Sequence, residues 1–299
     1  MNDFRYTPYD GSARPFTMGL HLCTPEDWIE IDDKLPVQLA RKAALLSKNR
    51  EDVYLSLPGA HDAEHEVLDV LVQHLSQNFP DIYTYKEGEV SIKPTGQTYR
   101  LGDFDDAPLT LAGRLVQEDF CIIQQADESH VLSAACLCFP SSWRLADKIG
   151  KPLEQVHAPV PGYAQVLARK VNLVFDRLLP GKILWRQNWS LDEGPELHRP
   201  APHSHADWLQ SGDSPVDHLF IRVERQTLRR LPKSGAVLFS IRIHTDSLSA
   251  LAENPKAKHL AAGLMRQLEE MTPEEISYKG LAQAVGPIIH ELKRLMMPG

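Results

Sequence analysis

Alternation of apolar and polar residues is clearest in the second half of the chain. In HLFIRVERQTLRRLPKSGAVLFSIRIH the period is two on both sides of a Pro-Lys-Ser-Gly turn, which predicts a two-stranded hairpin. On its first strand Arg222, Glu224 and Gln226 share one face. Ile221, Val223 and Thr227 take the other, with Arg225 interrupting the apolar run. On the second strand Val237, Phe239, Ile241 and Ile243 fall together. KILWRQNWSL reads as a further strand, with Arg186 and Asn188 on one face and Trp185, Gln187 and Trp189 on the other. Between 81 and 140 shorter strands follow one another: DIYTYK, EVSIKP, TYRLGD, then DFCIIQQ and VLSAACLCF around the loop ADESH.

The period changes to 3.6 elsewhere. VQLARKAALLSKN is rich in helix formers, and Val67, Leu68, Leu71 and Leu75 make a stripe in DAEHEVLDVLVQHLSQNFP. Leu167, Val171, Val174 and Leu178 line one side of YAQVLARKVNLVFDRLLPG, which Pro180-Gly181 ends. TPEDW, with Thr24 as N-cap, predicts a helix start, and PSSWRLADKIGKPL a short helix closing at Gly150. Three helical segments complete the chain, the second opened by a Thr272/Glu275 capping box. The polar, Pro/Gly/His-rich stretch from 192 to 217 reads as a long loop. Helices, a mainly antiparallel sheet with helical inserts, then more helices make an α+β fold.

The 299 residues carry a formal net charge of -8. That balance argues against a general nucleic-acid or membrane-surface binder. No run of 18 apolar residues is present, and the opening MNDFRYTPYDGSARPF lacks the layout of a signal peptide. With four cysteines, too few for a secreted scaffold, the expectation is a cytoplasmic protein. Cys136 and Cys138 read as small core residues. Phosphate-cradling, dinucleotide-binding and nucleophile-elbow motifs are absent. Among 13 histidines, His61 and His65 are four apart but lie in H-D-A-E-H, not H-E-x-x-H, and no third ligand accompanies them.

Three segments are candidates for chemistry. In QVHAPVPGY, Pro159 and Pro161 hold Ala158 and Val160 toward extended geometry, so His157 sits on a stiffened approach to a helix. Such an imidazole suits an iron ligand, or equally a hydrogen bond to a backbone carbonyl. In WRQNW, Arg186 and Asn188 point together and suit a carboxylate or other polar ligand. In RVERQTL, the Arg222, Glu224 and Gln226 face is either ordinary polar surface or a carboxylate held among basic groups, suited to an amine cation.

Taken together, KIGKPLEQVHAPVPGY, RQNWSL and RVERQTLRRLPKSGAVLFSIRIH resemble the heme-dependent oxidative N-demethylase alpha-subunit family, as do TPEDWIEID and EHEVLDVLVQHL. The resemblance runs from about residue 17 to beyond 270. It implies one unit over 1–299: a PAS-like antiparallel sheet enclosing heme b, with an N-terminal helical extension over about 17–80 and C-terminal helices over about 246–297. It implies an oxidoreductase that uses O2 to demethylate a small secondary alkylamine, releasing formaldehyde. Electrons would come from a separate flavin and iron–sulfur reductase subunit, since this chain has no motif for those cofactors. Carried residue by residue, it makes His157 the proximal iron ligand and Glu224 the carboxylate for the amine. Arg186, Asn188, Arg222, Arg225 and Gln226 become cofactor-binding residues, the arginines as partners of heme propionates or of Glu224. His244 and Tyr163 join Glu224 in the substrate pocket. Two features depart from the family pattern. His244 stands where a tyrosine commonly ends the second hairpin strand, which offers a competing iron ligand, and the loop 198–205 is His-rich. A heme-based gas or redox sensor and a heme-free binding protein of the same fold are the alternatives.

Overall fold

The computed structural model describes residues 4–127, 129–201 and 206–297. Among the described residues ten strands form two antiparallel sheets: β1 (His21–Cys23), β2 (Tyr54–Ser56), β3 (Tyr83–Lys86), β4 (Glu89–Ile92), β5 (Gln97–Arg100), β6 (Asp119–Ala126), β7 (Ser129–Cys136), β8 (Ile183–Glu193), β9 (Leu219–Arg230) and β10 (Val237–Ser247). The large sheet has the order β1-β8-β9-β10-β6-β7-β2, and β3-β4-β5 stand apart as a three-stranded meander. With helices packed around wholly antiparallel pairings, the fold is α+β, as the periodicities predict.

The long strands are the ones with the cleanest alternation, and their register fixes the function-bearing face. Asn188 pairs with Glu224, Arg186 with Gln226 and Ser190 with Arg222. Across the hairpin Glu224 faces Ile243, Gln226 faces Ile241 and Leu228 faces Phe239. Directly paired residues project to the same side, so one face carries Arg186, Asn188, Arg222, Glu224, Gln226 and the apolar stripe of β10. The opposite face carries Trp185, Trp189, Val223, Arg225, Arg242 and His244.

The opposite face is covered by the N-terminal helices. Trp28, fully buried, donates from Nε1 to Ser240 Oγ at 3.4 Å, and Arg242 donates to Gln38 Oε1 at 2.9 Å from the helix Leu35–Lys48. The helix His61–Asn78 buries Val67, Leu68, Leu71 and Leu75 as its stripe predicts. A second apolar core lies where Trp189, Leu191, Ile221 and Val223 meet the C-terminal helices. There Gly263 lets the N-terminal segment pass, because a Cβ at that position would lie 2.2 Å from the carbonyl carbon of Asp10.

Several local expectations are corrected. TPEDW is a turn, with Thr24 Oγ1 donating to Asp27 Oδ2 at 2.7 Å, because the carbonyls of Asp27 and Trp28 are taken by Arg225. The segment before Gly150 contains only a 3-10 turn at Leu145–Asp147. A helix at Pro108–Leu115, buried at almost every position, is not among the predicted elements. The 192–217 stretch contains the helices Ala206–Ser211 and Pro215–His218.

Candidate functional site

His157 is positioned by a short, over-determined loop. Pro152 N-caps a single helical turn, Leu153–Val156, whose Leu153 is anchored in the core. The turn stops at His157, where Pro159 disfavours helical geometry for the preceding residue. Val160 N–H then donates to the His157 carbonyl at 2.8 Å, and Gly162, at φ +69°, turns the chain into a π-helical turn, Tyr163–Leu167, and the helix Ala168–Arg177. Asn172 of that helix donates to Glu154 at 2.7 Å, tying both ends of the loop together.

The imidazole is held twice over. Nδ1 lies 2.8 Å from the Leu153 carbonyl, which can only accept, so Nδ1 carries the proton and Nε2 presents its lone pair. The ring stacks on Tyr163 with centroids 4.7 Å apart and planes 11° from parallel. Burial pushes the His157 pKa down, opposed by the Leu153 bond and reinforced by Lys148 and Arg186, which keeps the ring neutral. Tyr163 itself is buried, with its phenol pushed up to about 12 by burial.

Glu224 is clamped on the same side of the sheet as Arg186. Ser141 Oγ donates to one carboxylate oxygen at 2.7 Å and Gln226 Nε2 to the other at 2.8 Å. Each oxygen keeps a lone pair for a further donor. Ser141 is set in place from below by Arg222, which is 1% exposed. Arg222 donates to the carbonyls of Phe139 at 2.8 Å and Leu197 at 3.2 Å, pinning the 137–142 segment to the 194–199 segment. His198 strengthens that seam through the Cys138 carbonyl at 2.8 Å, while His203 and His205 of the His-rich loop lie outside the described residues.

The surroundings of Glu224 are cationic. Lys148, Arg186, Arg222 and Lys279 all feel its charge. Lys148 lies 4.5 Å from the Trp143 ring centroid. Lys279 follows the helix Pro273–Tyr278, donates to the Trp189 carbonyl on β8, and lies 4.6 Å from the Trp189 centroid and 5.3 Å from that of Phe16. Burial pushes Lys148 down and Lys279 down to about 8. Burial also lowers Arg186, yet Arg186, His157, Lys148 and Lys279 all keep accessible surface. Tyr278 is 48% exposed and still has its pKa raised chiefly by burial. The Arg186 Nε is buried without a hydrogen-bond partner among the described residues, a donor left for a bound anion.

Over residues 19–289 the chain matches the family model described as haem-dependent oxidative N-demethylase, alpha subunit-like. The chain belongs to that family. The oxidative N-demethylase name implies dependence on heme, and the donor set here is of the right kind. A porphyrin supplies four nitrogens to its iron, so one imidazole with a fixed tautomer suffices as the protein's axial ligand. Accordingly, the absence among the described residues of any cluster of three or more His, Cys, Asp or Glu side chains does not count against it. Arg186 and Lys148 are cations within electrostatic reach of that imidazole, suited to propionates. No described helix is long and apolar enough to cross a membrane.

Two residues carried over from the N-demethylase pattern are not brought to the sheet face of Glu224. Arg225 points to the opposite face, where it donates to the carbonyls of Trp28 and Asp27 and lies 3.7 Å from Glu30. His244 pairs with Val223, not with Glu224, and its Nε2 meets Glu30 Oε2 at 3.0 Å. The period of two decides both: odd positions of β9 cannot share a face with Glu224. His244 is therefore separated by the sheet from His157 and from any iron bound there. Arg222 is on the right face but spends its fork on backbone carbonyls, which makes it a fastener of the site. The sequence pattern missed Ser141, Lys148, Tyr278 and Lys279, which come from loops and the C-terminal region.

Proposed function

We propose that the protein is a heme b-dependent oxygenating enzyme that removes a methyl group from a small secondary amine, and that His157 would hold the iron. The observations that carry this reading are the clamped Glu224 among cations and the tautomer-fixed imidazole of His157. The antiparallel sheet with helices packed around it agrees with a PAS-like unit holding the cofactor.

Bound heme would supply reductive activation of O2, with electrons from a separate flavin and iron–sulfur reductase, in keeping with the alpha-subunit name of the family. The balance is one N-methylamine, O2, two electrons and two protons giving the demethylated amine, formaldehyde and water. The chain's own residues supply the rest. Glu224 accepts an N–H of the substrate ammonium on the lone pairs that Ser141 and Gln226 leave free, fixing the nitrogen and the direction of its methyl group. Transfer of that proton to a Glu224 oxygen would free the nitrogen lone pair. Arg186 and Lys148 hold propionates, and Asn188, across from Glu224, offers an amide to the cofactor edge or to the substrate. The Tyr163 ring keeps His157 at one angle.

Formaldehyde release from dimethylamine, with O2 and a chemical or enzymatic electron donor, tests this reading. The wild type is expected to produce formaldehyde, and Glu224→Gln to lose at least tenfold in kcat/KM while keeping its heme. Equal turnover by Glu224→Gln would remove the carboxylate from the mechanism.

A further inference from the structure

The helix Ala168–Arg177, opened by the π-helical turn Tyr163–Leu167, has two unlike faces. Its inner face sends Val171, Val174 and Phe175 against the core. Outside, apolar side chains stand in water. Leu173 is 42% exposed, Val166 in the opening turn 57%, and Leu179 just beyond the helix 64%. Residues 169, 173 and 177 are four apart, and 170 lies three before 173. Arg169, Lys170 and Arg177, all exposed, therefore surround Leu173 on the outer face. Beside Leu173 the small side chains of Ala164 and Ala168 leave a shallow, open groove.

The local charge runs against that of the whole chain, which is -8. Lys182, exposed in the turn after the helix, joins Arg169, Lys170 and Arg177. The acid of the helix is Asp176, and that of the helical turn tied to it is Glu154. Asp176 lies 3.6 Å from His130, and Glu154 accepts from Asn172 at 2.7 Å. Even with both acids counted, the cations are in excess. Exposed apolar side chains ringed by one sign of charge suit a partner of the opposite sign. Size and symmetry narrow the choice. From Tyr163 to Arg177 the helix runs about 20 Å, and its outer face is about 10 Å wide. That contact is far below the roughly 800 Å² per partner of a stable interface, and transient electron-transfer encounters are the small ones. A second copy meeting two-fold would lay these cations on themselves. An anionic membrane would repel the acidic remainder of the chain.

This face is also tied to His157. Tyr163, the first residue of the opening turn, stacks on the imidazole with centroids 4.7 Å apart. Building on the N-demethylase reading above, which takes its electrons from another protein, we propose that the outer face of Ala168–Arg177 is the docking surface for an acidic electron-carrier protein. Carboxylates of the carrier meet Arg169, Lys170 and Arg177, and an apolar spot on it covers Leu173. Each visit oxidises a one-electron carrier once, so two visits supply the electron pair that one demethylation consumes. Charge steers the encounter, and the small contact lets the spent carrier leave.

Calorimetric titration of the heme-loaded protein with an oxidised plant-type [2Fe–2S] ferredoxin, an acidic one-electron carrier, reads docking without turnover. Binding is expected at about 50 mM salt and should weaken about tenfold or more by about 500 mM. The combined variant Arg169→Glu, Lys170→Glu, Arg177→Glu should lose about tenfold or more in affinity at low salt, with the absorption spectrum of the wild type. Arg169→Lys with Arg177→Lys keeps the charge and should bind as the wild type does, which guards against a folding defect. No binding to the wild type, or equal binding by the charge-reversed protein, overturns the inference. So does a wild-type dimer in sedimentation, or wild-type binding to phosphatidylserine vesicles, that charge reversal abolishes, because the face then belongs to a second copy or to a membrane. Formaldehyde release from dimethylamine with dithionite as donor bypasses the carrier. Equal release by wild type and charge-reversed protein leaves the N-demethylase reading standing whatever the docking result, and release by neither counts against that reading alone.

Discussion

Arg222 offers a sharp test of how the Glu224 site is built. Replacing it with methionine keeps most of the volume and removes the guanidinium. Two of its bonds, to Phe139 O at 2.8 Å and Leu197 O at 3.2 Å, are short enough to count fully, whereas that to Glu196 O at 3.5 Å is marginal. Hydrogen bonds from a charged donor contribute about 1.5–3 kcal/mol each, giving a gross loss of about 3–6 kcal/mol. Part is recovered, because the buried guanidinium also carries a desolvation cost and its Nε has no hydrogen-bond partner among the described residues. A net destabilisation of about 2–4 kcal/mol is expected. In urea unfolding it would appear as a midpoint lowered by about 1 M at unchanged slope. The same variant should weaken amine binding, since the Ser141 donor to Glu224 is carried on the segment that Arg222 pins. A loss below about 1 kcal/mol would mean that the two loops are held by other contacts, and the fastening role would fall.

On the opposite face Glu30 should make stability depend on acid. Burial pushes its pKa up, but bonds from His244 and Tyr6 and the charge of Arg225 outweigh this and hold it at about 2, below its ordinary 4.5. Its contribution, on the order of 3 kcal/mol, is therefore whole above pH 4.5 and is lost as pH falls toward 2. Glu30→Gln should flatten that part of the stability profile in denaturant titrations, and an unchanged slope would refute the assignment. Gly162→Ala meets no atom closer than Val166 Cγ2 at 3.9 Å, so its cost is that of φ +69° alone, about 1–2 kcal/mol in thermal or urea unfolding. A neutral outcome would show that the loop bearing His157 relaxes freely.

What the sequence made legible was what alternates. Strands β8, β9 and β10 follow periods of two, from which the face of Arg186 and Asn188 and that of Arg222, Glu224 and Gln226 can be written down before any coordinates; the register that joins them is set by the β8–β9 pairing. The same rule separates Arg225 and His244 from that face; the family pattern had grouped them by closeness in sequence instead. Proline restriction around His157 was also readable, although the single helical turn before it was not. Ser141 was not legible, because it meets Glu224 through a contact spanning 83 residues of chain. No local pattern encodes such a meeting. The TPEDW turn shows the same limit from the other side. Its local signals favour a helix, and a distant arginine claims the carbonyls that the helix would have used.

The central claim is that His157 ligates heme iron. An absorption spectrum of heme-replete protein, wild type beside His157→Ala, addresses it most directly. The wild type is expected to show a Soret band typical of imidazole-ligated heme. In the variant that band should be lost or shifted, and added imidazole should restore it. A variant spectrum identical to the wild type without imidazole would contradict the assignment.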